Sequence, residues 1–449
     1  MMEFKTSPRL LPGYAHDWNN NGRAHRPWYI HFDKRDGEQG RLAKKPTLEQ
    51  SIRIIELTHA AGVDNINIGF PTEKRKGFED LVVMANECLS KHMRPRMLAR
   101  PLEGDIQPIV EIQKKSKGES REVEICIFQD VSRIRMAVEK WAIEDVEENF
   151  KSAVKLALEN RLNVWIGLEN ASRTNPEILK RIAELFRDFE GVNGFVLADT
   201  IGYLNPTGAF ALFKFMREQI GDERFLEFHP HDDCGLAIAN SLAALQAGAD
   251  GIHATWLGMG ERAGNVDLVE LALNMYLHQA TDAGRILHDW ISLLAAPHDN
   301  GGFDFHGLLR WEEKIAEIYG APIKRTTFRD PEAFRTYVGT HARTILKALL
   351  EGGINGANIV FSPFDPSNLG YSTRAGIGPY SSEANVILLV AELLNIDISK
   401  PEKLQALERR LTKKRISERI LKFAVGENRN LKADEVLSFL KGQGFSRRI

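Results

Sequence analysis

Cysteine is scarce. Cys88, Cys126 and Cys234 are the only three in 449 residues, too few and too scattered for a disulfide framework or a Cys-based zinc site. A reducing compartment fits that scarcity. An excess of one charge is also missing: 59 Lys and Arg stand against 61 Asp and Glu, for a formal net charge of −2. That balance excludes the basic field that gathers nucleic acid and the polybasic face that gathers membranes. Long apolar runs are absent too, none approaching the roughly 18 residues of a membrane-crossing helix. The N-terminal MMEFKTSPRLLPGYAHDWNNNG lacks the apolar stretch of a signal peptide. The expectation is a cytoplasmic protein with no nucleic-acid or membrane partner.

What is present is an ordinary globular balance, 43% hydrophobic and 27% charged, in a chain long enough for a barrel plus a substantial extension. From about Trp28 to about Leu277, short β-rich runs alternate with longer amphipathic segments. WYIHF, NINIGF, RMLAR, EICIF, NVWIGLE, GFVLAD, LEFHPH and GIHATW read as strands, each followed by helical spacing such as DLVVMANECLSKH. Eight such units predict an α/β fold, a closed (β/α)8 TIM barrel rather than the rival open six-stranded Rossmann sheet. Beyond about Arg285 the alternation gives way to helices, WEEKIAEIYG, ARTILKALLEGG, ANVILLVAELLNI and LQALERRLTKKRISERILKF among them. The expected divisions are an N-terminal extension over 1–24, a barrel over 25–282 and a mainly helical C-terminal region over 283–449. Within that last region SPFDPSNLGYSTRAGIGPYSSEANV, rich in Gly, Pro and Ser, reads as long ordered loops.

A (β/α)8 barrel carries its chemistry at the C-terminal ends of its strands, so polar residues there are the candidates. Arg35, Asp36, Gly37, Glu38 and Gln39 follow the first strand. The seventh ends in His229-Pro230-His231, a spacing that turns both imidazoles to one face. Two neutral imidazoles plus the Asp36 carboxylate, with positions left open, make a plausible catalytic divalent-ion site. Taken alone, a His-x-His pair is more often structural, and RDGEQ is more often a solvated turn. The eighth strand leads into Gly258-Met259-Gly260-Glu261-Arg262-Ala263-Gly264-Asn265, which has the look of an anion cradle without a dinucleotide fingerprint. Glu169 to Arg173 and Asp199-Thr200 add polar groups at the fifth and sixth strand ends.

RDGEQ, ADTIGY, HPHDDCGLAIAN and GMGERAGN, in this chain's spacing, together resemble the acyl-CoA condensing branch of the DRE-TIM metallolyase family, which includes 2-isopropylmalate, homocitrate and Re-citrate synthases. The likeness extends past the barrel to GTHARTILK, Gly339 to Lys347, and to IGPYSSEANV. It implies an enzyme that adds acetyl-CoA to a 2-oxo acid using a divalent ion (Mg2+, Mn2+ or Zn2+), and that works as a homodimer. Asp36, His229 and His231 match the metal ligands, with Asn265 a further candidate. Arg35 matches the arginine that polarises the acceptor carbonyl; Gln39, Thr200 and Arg100 match the 2-oxo acid site. Glu169 and His341 match residues of proton transfer, the histidine coming from the partner subunit.

The departures bear on the acceptor. His31-Phe32-Asp33-Lys34 stands where D-T-T-L is usual, and Asn67 replaces the glutamate of I-E-x-G-F-P, losing a carboxylate near the site. Phe361 takes the place of a tyrosine, and Trp165 that of the arginine by which homocitrate-type members hold 2-oxoglutarate. Trp165 is equally readable as core filler, and Arg133, Arg135 and Arg173 remain available for a second acidic group. The leading product is 2-isopropylmalate or a close 2-alkylmalate, with citrate, homocitrate and phosphonomethylmalate behind. Leucine-regulated members have a further domain of about a hundred residues; none is read here, so no inhibition by leucine is expected. A metal-dependent C–C lyase is the enzyme rival, weakened because Trp256 to Asn265 has no Cys. A carboxyltransferase domain and a non-catalytic barrel scaffold stand behind it.

Overall fold

The computed structural model describes residues 28–40, 44–71, 77–116, 123–278, 305–323 and 327–445. The expected N-terminal extension and the junction at 282–283 lie outside the described residues. Eight parallel strands close in sequence order: β1 Tyr29–Asp33, β2 Asn65–Gly69, β3 Arg94–Ala99, β4 Glu124–Asp130, β5 Asn163–Glu169, β6 Val192–Asp199, β7 Phe225–Pro230 and β8 Gly251–Ala254. Closure is made by β1 against β8, with Tyr29 opposite Gly251 and His31 opposite His253. The barrel expected from the sequence, and not the open sheet, is what the chain forms.

Period-2 alternation decides what faces where. In β7, Leu226 and Phe228 are fully buried on the outer face, and Phe228 packs edge-on to Phe213 of the helix Pro206–Ile220 with ring centroids 4.8 Å apart. Each such side chain contributes roughly 1.5–3 kcal/mol on burial. Glu227 and His229 take the opposite face and meet residues of β1 and β3. The helices between strands begin where the sequence supplies caps. Leu48–Ala60 opens on a reciprocal pair, Gln50 N donating to Thr47 Oγ1 at 3.2 Å and Thr47 N to Gln50 Oε1 at 2.9 Å. Pro206–Ile220 opens behind Asn205 and stops at Gly221, whose φ of +70° suits a residue without Cβ.

The barrel interior is charged. Arg96 Nε donates to Glu124 Oε2 at 2.8 Å, and its other nitrogens reach Glu227, one of them Oε1 at 3.1 Å. Tyr29 Oη donates to Glu227 Oε1 at 2.5 Å, and His253 Nε2 lies 2.8 Å from Glu227 Oε2. Burial opposes the charge on Glu227, but Arg96 prevails and holds its pKa well below the usual carboxylate range. Trp165 lies under the guanidinium of Arg96, 3.9 Å from its ring centre, in a small cluster with Cys126 and Val196. Its role as interior filler is therefore the one the packing supports.

Two compact units are present: the barrel with Gly307–Ile323, and a helical unit within 327–445. The helix Phe305–Tyr319 belongs, from Gly307 on, to the barrel unit although the sequence groups it with the C-terminal helices. The reason is its apolar stripe, Trp311 packing on Phe32 and Tyr319 stacking on Trp256 at 4.1 Å. Tyr319 Oη also donates to Glu38 Oε1 at 2.9 Å. The helical unit has its own core around Glu383–Leu393, where Ala384 to Ala391 are all buried, so that helix is central to its unit. The Gly, Pro and Ser-rich segment is ordered there, with the short turn Pro366–Leu369 and the strand Arg374–Ala375, which pairs with Arg335–Thr336. Among the described residues no helix is long and apolar enough to cross a membrane.

Candidate active site

At the C-terminal end of β1 the chain turns at once into a short helix, Lys34–Gly37, capped by Asp33 Oδ1, which accepts from Asp36 N at 2.8 Å. That turn swings Asp36 over the barrel mouth. β7 delivers His229 and, one residue past its end, His231, and ligand atoms of these two and Asp36 lie within 4.8 Å of one another. Asp36 Oδ2 is 3.3 Å from His229 Nε2 and 3.9 Å from His231 Nε2. The antiparallel bridge between His231 and Asn265 brings the loop after β8 to the same place.

Several of these atoms are buried without a hydrogen-bond partner among the described residues: Asp36 Oδ2, His231 Nδ1 and Asn265 Oδ1. Orphaned buried acceptors are costly, and one carboxylate, two imidazoles and an amide oxygen are the donor set of an open divalent-ion site. The residues present fit a divalent cation. Their protonation fits as well. Burial works against charge on Asp36, yet Arg35 and His229 hold its pKa at about 2. Burial, then His229, pulls His231 down to about 4, so both side chains present lone pairs at neutral pH.

Arg35 lies beside them, one nitrogen 3.3 Å from Asp33 Oδ2 and the other 3.5 Å from Asp36 Oδ1 and 3.0 Å from Gln39 Oε1. A cavity of about 270 Å3 opens between them, floored by Asp33, Asp36, His229 and His253 and walled by Phe70, Leu98, Cys126, Phe128, Val196 and Ala198. Gln39, Glu169, Thr200 and Glu261 complete its polar lining. Thr200 Oγ1 accepts from Asn170 N at 2.7 Å. Burial and the neighbouring Asp130 raise the pKa of Glu169 above its ordinary value. Burial pushes the Cys126 thiol up to about 12, which makes it a wall and not a nucleophile.

Not every candidate reaches this cavity. Arg100 is half-exposed and forked onto Asp105, with Nε to Oδ2 at 2.6 Å and NH2 to Oδ1 at 3.0 Å, outside the lining. Arg173 donates to Asn170 Oδ1 at 3.0 Å, and neither it nor Arg133 or Arg135 lines the cavity. In the glycine-rich loop, Met259 N, Gly264 N and Asn265 N donate to the Trp256, Glu261 and Gly258 carbonyls, so these three N–H groups are turned to the loop itself. Gly260 makes room for Asn265: a Cβ there would lie 1.7 Å from Asn265 Oδ1. In the helical unit, His341 stacks on Phe361 at 4.0 Å and 20°, so the ring at the tyrosine position orients the imidazole without offering a hydroxyl.

Asp33 and His253 line the cavity, and Glu227 lies against His253 at 2.8 Å, although the motifs did not single them out. One signal was available for Glu227, which stands two residues before His229 and so shares its face.

A closed parallel α/β barrel with a candidate divalent-ion site at its mouth is the class that fold and site define, and comparison with known proteins narrows it. The HMGL-like family model matches residues 27–293, and the chain belongs to that family. It is 33% identical over 261 residues to the 2-isopropylmalate synthase of Halalkalibacterium halodurans, covering 57% of this chain and 49% of that one. It is 27% identical over 376 residues to a Methanopyrus kandleri protein provisionally named (R)-citramalate synthase, covering 84% and 66%. The chain thus spans about half to two thirds of the length of these relatives. Among solved structures it shares the fold of the Bacillus subtilis HMG-CoA lyase, at a TM-score of 0.53 and 18% identity over 68% of this chain and 97% of that one.

Proposed function

We propose that this protein joins acetyl-CoA to a 2-oxo acid with an apolar side chain and hydrolyses the thioester to a 2-substituted malate, in the manner of a 2-isopropylmalate synthase. The observation that carries the reading is the character of the mouth. Asp36, His229 and His231 converge beside Arg35, the one Lys or Arg among the described residues lining the cavity, and the walls are aliphatic and aromatic. A second carboxylate or a phosphonate on the acceptor would be desolvated there without a cation. That ranks oxaloacetate, 2-oxoglutarate and phosphono-substituted acids behind branched-chain 2-oxo acids. The similarity to 2-isopropylmalate synthases supports the same order.

A divalent ion held by Asp36, His229 and His231, with Asn265 a further ligand, supplies Lewis-acid polarisation of the 2-oxo acid when bound. Arg35 offsets the negative charge that grows on the keto oxygen. Gln39 and Thr200 orient the acceptor carboxylate from the rim. Glu169, whose pKa burial and the neighbouring Asp130 raise above the ordinary carboxylate value, and His341 share the proton transfers. A base takes a proton from the acetyl methyl, the methyl carbon bonds to the keto carbon, and the keto oxygen gains a proton. Water then attacks the thioester, the C–S bond breaks, and CoA leaves as its thiol. The working form in this reading is a cytoplasmic homodimer with His341 supplied by the partner subunit.

The test incubates the full chain with acetyl-CoA, Mg2+ or Mn2+ and a panel of 2-oxo acids, and follows free thiol. Fastest release with 2-oxoisovalerate or a similar branched acid supports the reading. No release with any acceptor contradicts it, as does cleavage of a hydroxyacyl-CoA in place of synthesis.

A further inference from the structure

A histidine can hold an ion through Nε2 only when the proton of a neutral ring sits on Nδ1, and that proton needs an acceptor. His229 turns Nε2 to Asp36. Its Nδ1 faces two groups, Asp33 Oδ2 at 3.5 Å and His253 Nδ1 at 3.2 Å. Asp33 is almost wholly buried, and both its oxygens are engaged. Oδ1 caps the turn that carries Asp36; Oδ2 receives Arg35 and, at 3.2 Å, Asn67 Nδ2. Asn67 is itself fixed, its Oδ1 accepting from Gly69 N at 3.2 Å.

These contacts join two departures noted separately in the sequence. The carboxylate missing at Asn67 on β2 is present at Asp33 on β1, and the amide at 67 is its hydrogen-bond donor. We infer that Asp33 is the positioning residue of this centre: it sets the tautomer and ring angle of His229, and Asn67 exists to hold Asp33 in place. The inference rests on the reading of Asp36, His229 and His231 as metal ligands and is independent of which acceptor is used.

Mn2+ affinity of the full chain, followed by the electron paramagnetic resonance of free Mn2+, tests it without turnover. The variants are Asp33→Asn, which keeps an oxygen for the Asp36 N–H cap, Asn67→Ala, the pair together, and Asp36→Asn as the ligand control. Loss of a group that orients a ligand weakens binding about 10–100-fold. The expected result is that range for Asp33→Asn, a smaller loss for Asn67→Ala, and no added loss for Asn67→Ala in the Asp33→Asn background. In 15N-histidine spectra of the metal-free protein, His229 should be the Nδ1–H tautomer in the wild type and shift toward Nε2–H in Asp33→Asn. Asn67→Ala, which removes the donor to Asp33 Oδ2 and leaves the Oδ1 cap of Asp36 N in place, tests the inference if Asp33→Asn does not fold.

Unchanged affinity and tautomer in Asp33→Asn would overturn the inference and assign the role to His253. Binding abolished as completely as in Asp36→Asn, or two Mn2+ per wild-type chain, would also overturn it, by making Asp33 a ligand. A wild-type chain that takes up no Mn2+ overturns the metal reading and this one together.

Discussion

Glu169 illustrates how a single side chain reports on its surroundings. Its pKa is raised first by burial and then by Asp130, so the folded protein binds its proton more tightly than the unfolded chain does. Stability from that proton is complete below the unfolded value, about 4.3, and is lost as pH rises through the folded one. Glu169→Gln should therefore melt higher than the wild type at pH 8, and the gap should close below about pH 4. Thermal melts across that range check it; a variant less stable at pH 8 contradicts it. Arg35→Gln should lower turnover by roughly 10²–10³ at saturating substrate, the scale of removing one donor to a developing oxyanion. The site was legible at this scale wherever strand periodicity acts, as in His229 and His231. It was illegible for Asp33 and His253, whose importance comes from neighbours on β7 and β2 that no local spacing announces. Arg100 misled because the strand end predicts position, while Asp105, five residues on, decides direction.

The loop after β8 is the element on which the site's geometry turns. Leu257 sits at φ +51°, Gly258 at +61° and Gly264 at +108°, so the backbone folds back sharply enough to lay Asn265 beside His231. A methyl at Gly260 would meet Asn265 Oδ1. Gly260→Ala should weaken divalent-ion binding, seen as a higher Mg2+ requirement in the CoA-release assay, with a modest fall in the denaturation midpoint. A variant with wild-type Mg2+ dependence would remove Asn265 from the site. The strands themselves were legible because apolar outer faces alternate with polar inner ones. The path of a glycine-rich loop was not, since glycine marks where the backbone can bend and not what it bends toward.

The barrel as a whole is assembled around buried charge. Arg96 serves two carboxylates from β4 and β7, so Arg96→Met takes the guanidinium from both, leaving Glu227 with only Tyr29 and His253. It should destabilise the barrel by about 3–5 kcal/mol in urea unfolding. A loss under about 1 kcal/mol would show that water reaches the interior. The helical unit was legible as helices with an apolar core, but an amphipathic stripe states that a helix packs and not on what. Phe305–Tyr319 accordingly went to the barrel. If His341 comes from the partner subunit, mixing inactive Arg35→Gln and His341→Ala chains should regain part of the activity, whereas no recovery would place both residues in one chain's site.

The proposed chemistry requires a divalent ion held by Asp36, His229 and His231. Isothermal titration of the metal-stripped full chain with Mn2+ measures this directly. One ion per wild-type chain is predicted, with no measurable binding in Asp36→Asn or His231→Ala. Undiminished uptake by either variant, or full CoA release after exhaustive chelation, would contradict it.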